Sequence, residues 1–352
     1  MNELEAKKAL DSLIKKARVH LYKPIQIAEI LYRNRTVGDI DLAVLETYRN
    51  TSKKWRNEIC QRFLGRVSTS SARYQDDVFN ENAIPPSVLH YLGEINIQKN
   101  GIIEAYIYRR FLDRMSQMSI GYLYVNEHNK DTFELQKFLD LFWHEPGLKR
   151  SIDKVYEIVV YSLFSALVDA LGVHIEVSMN SEKEGILQEF ADFAHMVIRL
   201  TPSQQFFKVK ATIHRLGVTN ASDRGLDMFA NFGLAIQIKH LSLTEELAEG
   251  IVNSVSFDRI LIVCKDSEKN VIVSLLNQIG WKSRIQGIIT ESMLLDWYQK
   301  ALRGKYSEEL GTAVLENIRK EIIAEFPTTN NSDFLAFITE RGYQQRHDSL
   351  WS

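Results

Sequence analysis

The sixteen residues GLDMFANFGLAIQIKH, 225–240, constrain this chain more than any other stretch. Strand-like alternation runs on both sides of Asn231, Phe232 and Gly233, a turn-forming triplet. A hairpin symmetric about Phe232 sets Asp227 directly opposite Gln237, with Cβ atoms about 4.5–5.5 Å apart. Because strand side chains alternate, Gln237 and Lys239 share one face, while Ile236 and Ile238 turn to the other, toward a core. One carboxylate, one amide and one ammonium therefore converge at a sheet edge.

The surroundings of the hairpin set its fold class. Residues 151–171 read as a helix, with Ile152, Val155, Val159, Leu163, Ala166 and Ala170 on one stripe, Ser151 as its cap and Gly172 as its stop. An extended run (173–179), a polar helical excursion (182–199) and a further extended stretch (211–218) lead to the hairpin. A helix (244–255), a β-rich run (258–264), a helix (268–279) and a strand (284–289) follow it. This alternation predicts an α/β class, a mixed sheet core flanked by helices.

Upstream, apolar residues recur at helical spacing through Leu10, Ile14, Ala17 and Leu21, then Ile25, Ile27, Ile30 and Leu31. Loops are expected at 65–71, 82–86 and 144–147, and helices at 291–302 and 307–326. At roughly 150 residues per domain, 352 residues correspond to two domains or one large elaborated one, and the pattern divides them into three regions. These are a mainly helical 1–150, a sheet core 151–290, and C-terminal helices 291–352 packing on that core.

Charge narrows the class of partner. The whole chain carries 43 Lys and Arg against 45 Asp and Glu, a net −2 that decides nothing. Residues 1–75 hold 15 cations against 8 acids, about +7, and the remainder is about −9. The amino-terminal fifth is thus the side expected to face a polyanion. No uncharged apolar run reaches the roughly 18 residues of a membrane span, and no leader-like segment opens the sequence, so a cytoplasmic location is expected. Cys60 and Cys264 lie far apart and read as reduced, buried thiols. The nine histidines form no HxxxH pair or Cys/His cluster; His214 and His240 flank the hairpin and read as structural.

Asp, nine residues, Gln, one residue, Lys is the spacing of the PD-(D/E)XK nuclease hairpin. Phosphodiester hydrolysis needs a hard cation on oxygen ligands, a water aimed at phosphorus and positive charge near the developing oxyanion. In that role Asp227, the Gln237 side-chain oxygen and the main-chain carbonyl of Ile238 would bind Mg2+. Lys239 would orient or deprotonate the water. Gln237 stands where the pattern usually has an acid, which removes a negative charge and weakens metal binding. Glu157, a carboxylate on an otherwise apolar helix, is expected to supply a water-mediated contact or a second-metal ligand, with Asp223 in reserve; the alternative is a salt bridge to an unrelated cation.

A second cluster combines Lys53, Lys54, Trp55, Arg56, Arg62, Phe63, Arg66 and Arg73, with Ser68 to Ser71 between the last two arginines. Lys53, Lys54, Arg56, Arg62, Arg66, Ser70 and Arg73 are the expected DNA contacts, since Lys, Arg and hydroxyl side chains hold phosphates and fix register. The competing reading is a solvated helix face with Trp55 in the core.

The chain resembles the HaeII-type type II restriction endonucleases. The resemblance is clearest in EAKKALDSLIKKARVHLYKPIQIAEILY (5–32), RFLGRVSTSSARYQD (62–76), EPGLKRSIDKVYEIVVY (145–161), GVTNASDRGLDMFANFGLAIQIKHLSLTEELAE (217–249) and VIVSLLNQIGWKSRIQ (271–286). It implies cleavage of double-stranded DNA at a palindromic GC-rich hexamer of the RGCGCY type, Mg2+ dependence, and a cognate DNA methyltransferase. It also implies that Asp227, Gln237 and Lys239 are the active-site positions. A palindromic target is met by a two-fold symmetric protein, so a homodimer is expected. Two other readings share these features: a non-catalytic DNA-binding regulator on a degenerate nuclease fold, and a structure-specific repair nuclease.

Overall fold

The computed structural model describes residues 1–17, 20–67, 76–144, 151–216, 226–239, 259–266, 270, 273–274, 285–326 and 331–351. The chain divides into two compact units. Unit 1 comprises Met1–Tyr156, Gly217–Ser222 and Ile318–Ser352; unit 2 comprises Glu157–Leu216 and Asp223–Asn317.

Unit 1 is helical. Helix α1 (Glu3–Lys16) opens with a capping box in which the Asn2 side chain accepts from the Glu5 N–H and Glu5 accepts from the Asn2 N–H. Helix α2 (Tyr22–Thr36) is buried along most of its length and packs against α3 (Thr51–Leu64), α4 (Pro86–Gln98) and α5 (Ile102–Glu127). Pro86 starts α4 at its first position, where the missing N–H costs nothing. Helix α6 (Leu135–His144) follows, with Phe138 and Phe142 buried and set edge to face.

Inside this bundle lie two buried acids. Glu29 takes a bidentate pair from Arg341 (2.7 and 3.0 Å) and the Tyr108 hydroxyl. Glu104 takes a bidentate pair from Arg35 (2.8 and 2.9 Å), the Asn96 amide (2.6 Å) and the Tyr343 hydroxyl (2.6 Å). Burial alone would push the Arg341 pKa down, but the hydrogen bonds and charge of Glu29 outweigh it and hold it above the ordinary value. These contacts draw the end of the chain into unit 1, against the expectation that 291–352 packs as a block on the sheet. The sequence after Ile318 completes the helical unit, and Trp351 is wholly buried in it.

Unit 2 takes the rest of helix α7 (Ile152–Ala170), which ends at Gly172 in the left-handed region (φ 60°) as the sequence predicts. Strands β1 (His174–Ser178) and β2 (Phe206–Lys210) form an antiparallel ribbon of their own, joined by an excursion that includes the short helix α8 (Glu184–Glu189). Strand β2 is not anticipated in the sequence, and β1 pairs with it rather than entering the main sheet.

The main sheet runs in the order β3 (Ile213–Arg215), β4 (Met228–Ala230), β5 (Leu234–Lys239), β6 (Arg259–Cys264) and β7 (Ile285–Thr290). It is antiparallel from β3 to β5 and parallel from β5 to β7, a mixed sheet in an α/β fold. Helices α9 (Glu291–Arg303), α10 (Ser307–Glu325) and α11 (Asn331–Glu340) follow. The Tyr298 hydroxyl of α9 donates to the Val159 carbonyl of α7 (2.8 Å) within unit 2. The helix expected at 244–255 lies outside the described residues, as does most of that at 268–279. Among the described residues no helix is long and apolar enough to cross a membrane.

Candidate active site

The hairpin adopts the register its sequence predicts. Met228 pairs with Ile236, Phe229 with Ala235 and Ala230 with Leu234, a register that, carried one step past the end of β4, sets Asp227 across from Gln237. Gly233 closes the turn with φ 83°, a conformation L side chains adopt at a cost, and its N–H donates to the Ala230 carbonyl (3.1 Å). Asn231 fixes the turn end: its side chain accepts from the Thr212 N–H (2.9 Å) and donates to the Lys210 carbonyl (3.0 Å).

At the other end β4 begins only at Met228, so among the described residues the last residues of β5 have no strand partner on that side. Asp227 fills the gap. Its carboxylate accepts from the Ile238 N–H at 2.7 Å, and its own carbonyl accepts from the Leu216 N–H at 3.0 Å. The N–H and C=O of one strand residue point the same way, so the Ile238 carbonyl is directed to the side where Asp227 sits.

Gln237 is 1 % exposed. The sequence suggests a sheet edge here, but β5 is the middle strand of five, with Leu234 to Ile238 all buried. A strand joining an antiparallel to a parallel half is covered on both faces. Lys239 ends β5 opposite Cys264, and its side chain lies outside the described residues, as do Asp223 and His240.

Glu157 is buried on α7, and Arg215 of β3 lies 3.8 Å from it, itself buried. Arg215 stands opposite Met228 and so shares the Met228 face, whereas Gln237 follows Ile236 on β5 and takes the other. A cation answers the burial of Glu157 without a metal. Among the described residues no group of three or more His, Cys, Asp and Glu side chains is placed to hold a metal ion. The oxygen set at the hairpin is instead one carboxylate, one amide and one main-chain carbonyl, a hard donor set of the kind Mg2+ takes while keeping several waters. Beyond β6, Asp266 accepts from the Ser292 N–H (3.0 Å) and hydroxyl (2.5 Å), which holds its carboxyl below the usual range and caps α9.

Most of the described cations of the unit 1 cluster are engaged within the protein. Arg56 is 1 % exposed and donates to Gln26 (3.1 Å) and Asn57 (2.7 and 3.0 Å), so in this conformation it offers nothing to a phosphate. It sits on the stripe of Ser52, Ile59, Cys60 and Phe63, a helical spacing that signals the core despite the charge. Lys53 pairs with Asp76 (2.9 Å), Arg62 with Asp333 (2.7 Å), and Arg66 donates to the Ala324 carbonyl. Lys54 is exposed and makes no ion pair among the described residues. Ser70 and Arg73 lie outside them. Trp55 is half-buried under the Arg33 guanidinium rather than in the core. Cys60 and Cys264 are both buried free thiols, and burial pushes Cys60 up to about 12.

An α/β unit whose mixed sheet offers a carboxylate, an amide and a carbonyl at the open end of one hairpin defines a class, and comparison supplies the family. The model of the HaeII restriction endonuclease family matches residues 6–343, and the chain belongs to that family. It is 60 % identical over 349 residues, covering 99 % of both chains, to the type II restriction enzyme HaeII of Haemophilus aegyptius. It is 58 % identical over 344 residues, 97 % of both chains, to the type II restriction enzyme NgoBI of Neisseria gonorrhoeae. No solved structure matches it.

Proposed function

We propose that this chain is a type II restriction endonuclease, hydrolysing phosphodiester bonds of double-stranded DNA at a palindromic GC-rich hexamer of the RGCGCY type. The observation that carries the reading is the pairing of Met228 with Ile236, which puts Asp227 across from Gln237 with its carboxylate on the Ile238 N–H. Near-full-length identity to two type II restriction enzymes supports the choice of substrate.

In this proposal the hairpin is of the PD-(D/E)XK kind and Mg2+ is its cofactor, held by Asp227, the Gln237 side-chain oxygen and the Ile238 carbonyl. When bound, Mg2+ supplies charge neutralisation at the phosphate and a more acidic water. Lys239 orients or deprotonates the attacking water and offsets charge building on the phosphate oxygens. Glu157, expected as a metal contact, is assigned a positioning role instead, on its contact with Arg215, fixing β3 against α7. Lys54 is assigned a phosphate contact, together with Ser70 and Arg73. A palindromic target is matched by a homodimer with one site per strand, acting in the cytoplasm beside a methyltransferase that shields the same sequence without a stable complex.

Plasmid DNA incubated with the purified protein and Mg2+, followed by sequencing of the fragment ends, tests the reading. Discrete ends within one palindrome, absent when EDTA replaces Mg2+, are expected. DNA bound but intact across metal and salt conditions would favour a regulator, and ends scattered at branched or damaged sites would favour a repair nuclease.

A further inference from the structure

A buried ion pair on one face of the main sheet stands beside the hairpin site without entering it. From Val155 to Val168 of α7 the sequence has one charged residue, Glu157. Its side chain is 5 % exposed, and that of Arg215, 3.8 Å away on β3, is 6 % exposed. Arg215 is the cross-strand partner of Met228, and Met228 of Ile236, so the pair belongs to a row whose next two members are fully buried and apolar. Well-packed apolar side chains often match or exceed a buried ion pair in stability, so stability does not account for these charges. What a charged pair adds is register, because a guanidinium and a carboxylate out of water must stay together.

The register at stake is that of β3. This strand has three residues and lies at the edge of the main sheet, with β4 as its strand neighbour. Short elements with one neighbour open easily. One step further along, just past the ends of β3 and β4, come Leu216 and Asp227. The Leu216 N–H donates to the Asp227 carbonyl (3.0 Å), and the Asp227 carboxylate accepts from the Ile238 N–H (2.7 Å). The residue that holds the main chain of Asp227 is therefore the immediate neighbour of Arg215 in the chain.

We propose that Glu157 and Arg215 are positioning residues for Asp227. By pinning the end of β3 to α7, the pair keeps the Leu216 N–H in line with the Asp227 carbonyl and the carboxylate on the Ile238 N–H. Helix α7 is itself anchored near the pair, since its Val159 carbonyl accepts from the Tyr298 hydroxyl of α9 (2.8 Å). The pair acts on the reaction through Asp227 and touches neither cation nor DNA. Its consequence for cleavage rests on the reading of Asp227 as a metal-binding acid, whereas its effect on Leu216 and Ile238 does not.

The double substitution Glu157→Leu with Arg215→Met removes both charges and strands neither, so a folded protein with an unfolding midpoint near that of the wild type is expected. Amide hydrogen exchange is followed at Leu216 and Ile238, with Ile288 of β7, on the other side of β6, as the control. In the double variant the first two amides should exchange about tenfold faster or more, and Ile288 at the wild-type rate. The Mg2+ concentration for half-maximal cleavage should rise by roughly tenfold, because a less rigid ligand holds the cation less well. Glu157→Gln keeps the shape of the pair and removes one charge. It should raise the same two exchange rates by about threefold, which keeps the test decisive if the double variant does not fold. Unchanged exchange at Leu216 and Ile238 in whichever variant folds overturns the inference. A raised Mg2+ requirement with unchanged exchange also overturns it, and would make Glu157 a direct metal contact. Faster exchange at both amides in a protein whose wild type cuts no DNA would leave the positioning role standing and remove the nuclease reading.

Discussion

The buried acids of unit 1 and the half-buried Asp227 of unit 2 differ in what faces them. In unit 1, Glu29 and Glu104 are each gripped by both nitrogens of an arginine fork and by a tyrosine hydroxyl. In unit 2, Asp227 faces the main chain of Ile238 and lies across from the Gln237 amide. An acid held by a guanidinium fork is satisfied in charge and direction and serves to join helices. An acid set among oxygen-bearing neighbours at the end of a strand creates a place that suits a small hard cation. The type of neighbour separates architecture from chemistry.

Substitutions at the two sets should part cleanly. Asp227→Asn keeps the shape, so it should lower the single-turnover cleavage rate by about a thousandfold or more while the unfolding midpoint stays near that of the wild type. Arg341→Leu should do the reverse. It leaves Glu29 buried without its fork, at a cost of about 3–5 kcal/mol in urea unfolding, with little change in cleavage per folded molecule. If Arg341→Leu instead abolished cleavage in fully folded protein, the division of roles would be wrong.

A smaller effect sharpens the hairpin side. Gln237→Glu restores the acid of the usual pattern, and one more ligand charge should lower the Mg2+ concentration for half-maximal cleavage by roughly tenfold, about 1.4 kcal/mol. An unchanged Mg2+ requirement would remove Gln237 from the cation's surroundings.

On the architectural side, hydrogen bonds from Lys99 hold Glu3 and Asp348 below their ordinary values of 4.5 and 3.8. Acids lowered in the folded state add stability that is fully present above the unfolded value and is lost as the pH falls through the lowered one. The thermal midpoint should therefore drop as the pH falls below about 4, and Lys99→Met should flatten that acid limb. The smallest effect separates two cations of α3. Lys54→Ala should reduce the salt dependence of DNA binding by a slope of about 1, whereas Arg62→Ala, which removes an exposed pair with Asp333, should leave the slope unchanged and cost at most about 1 kcal/mol of stability.

The hairpin was legible because its turn and register are set locally. Asn231 to Gly233 set the turn, and alternation from Asp227 to Lys239 set the register. The helix stop at Gly172 was legible for the same reason. Arg56 was misplaced because composition spoke for a basic surface while spacing with Ile59, Cys60 and Phe63 spoke for the core, and spacing won. Strand β2 went unseen because the ribbon it forms with β1 is half-exposed and lies next to a polar helical stretch, so no buried face marked it. The placement of the chain after Ile318 depends on pairs such as Glu29 with Arg341, separated by 312 residues, and such a contact leaves no local trace. At the site, the cation facing Glu157 was equally hidden, since Arg215 comes near it only once β3 is laid beside β4.

The central claim is that the hairpin from Asp227 to Lys239 is where DNA is cut. Plasmid cleavage by Lys239→Ala beside the wild type, with duplex binding measured for both, tests it most directly. The account predicts discrete fragment ends from the wild type, none from the variant, and comparable binding by the two. Fragments from Lys239→Ala with the same ends at the same rate would contradict it and place the chemistry elsewhere in the chain.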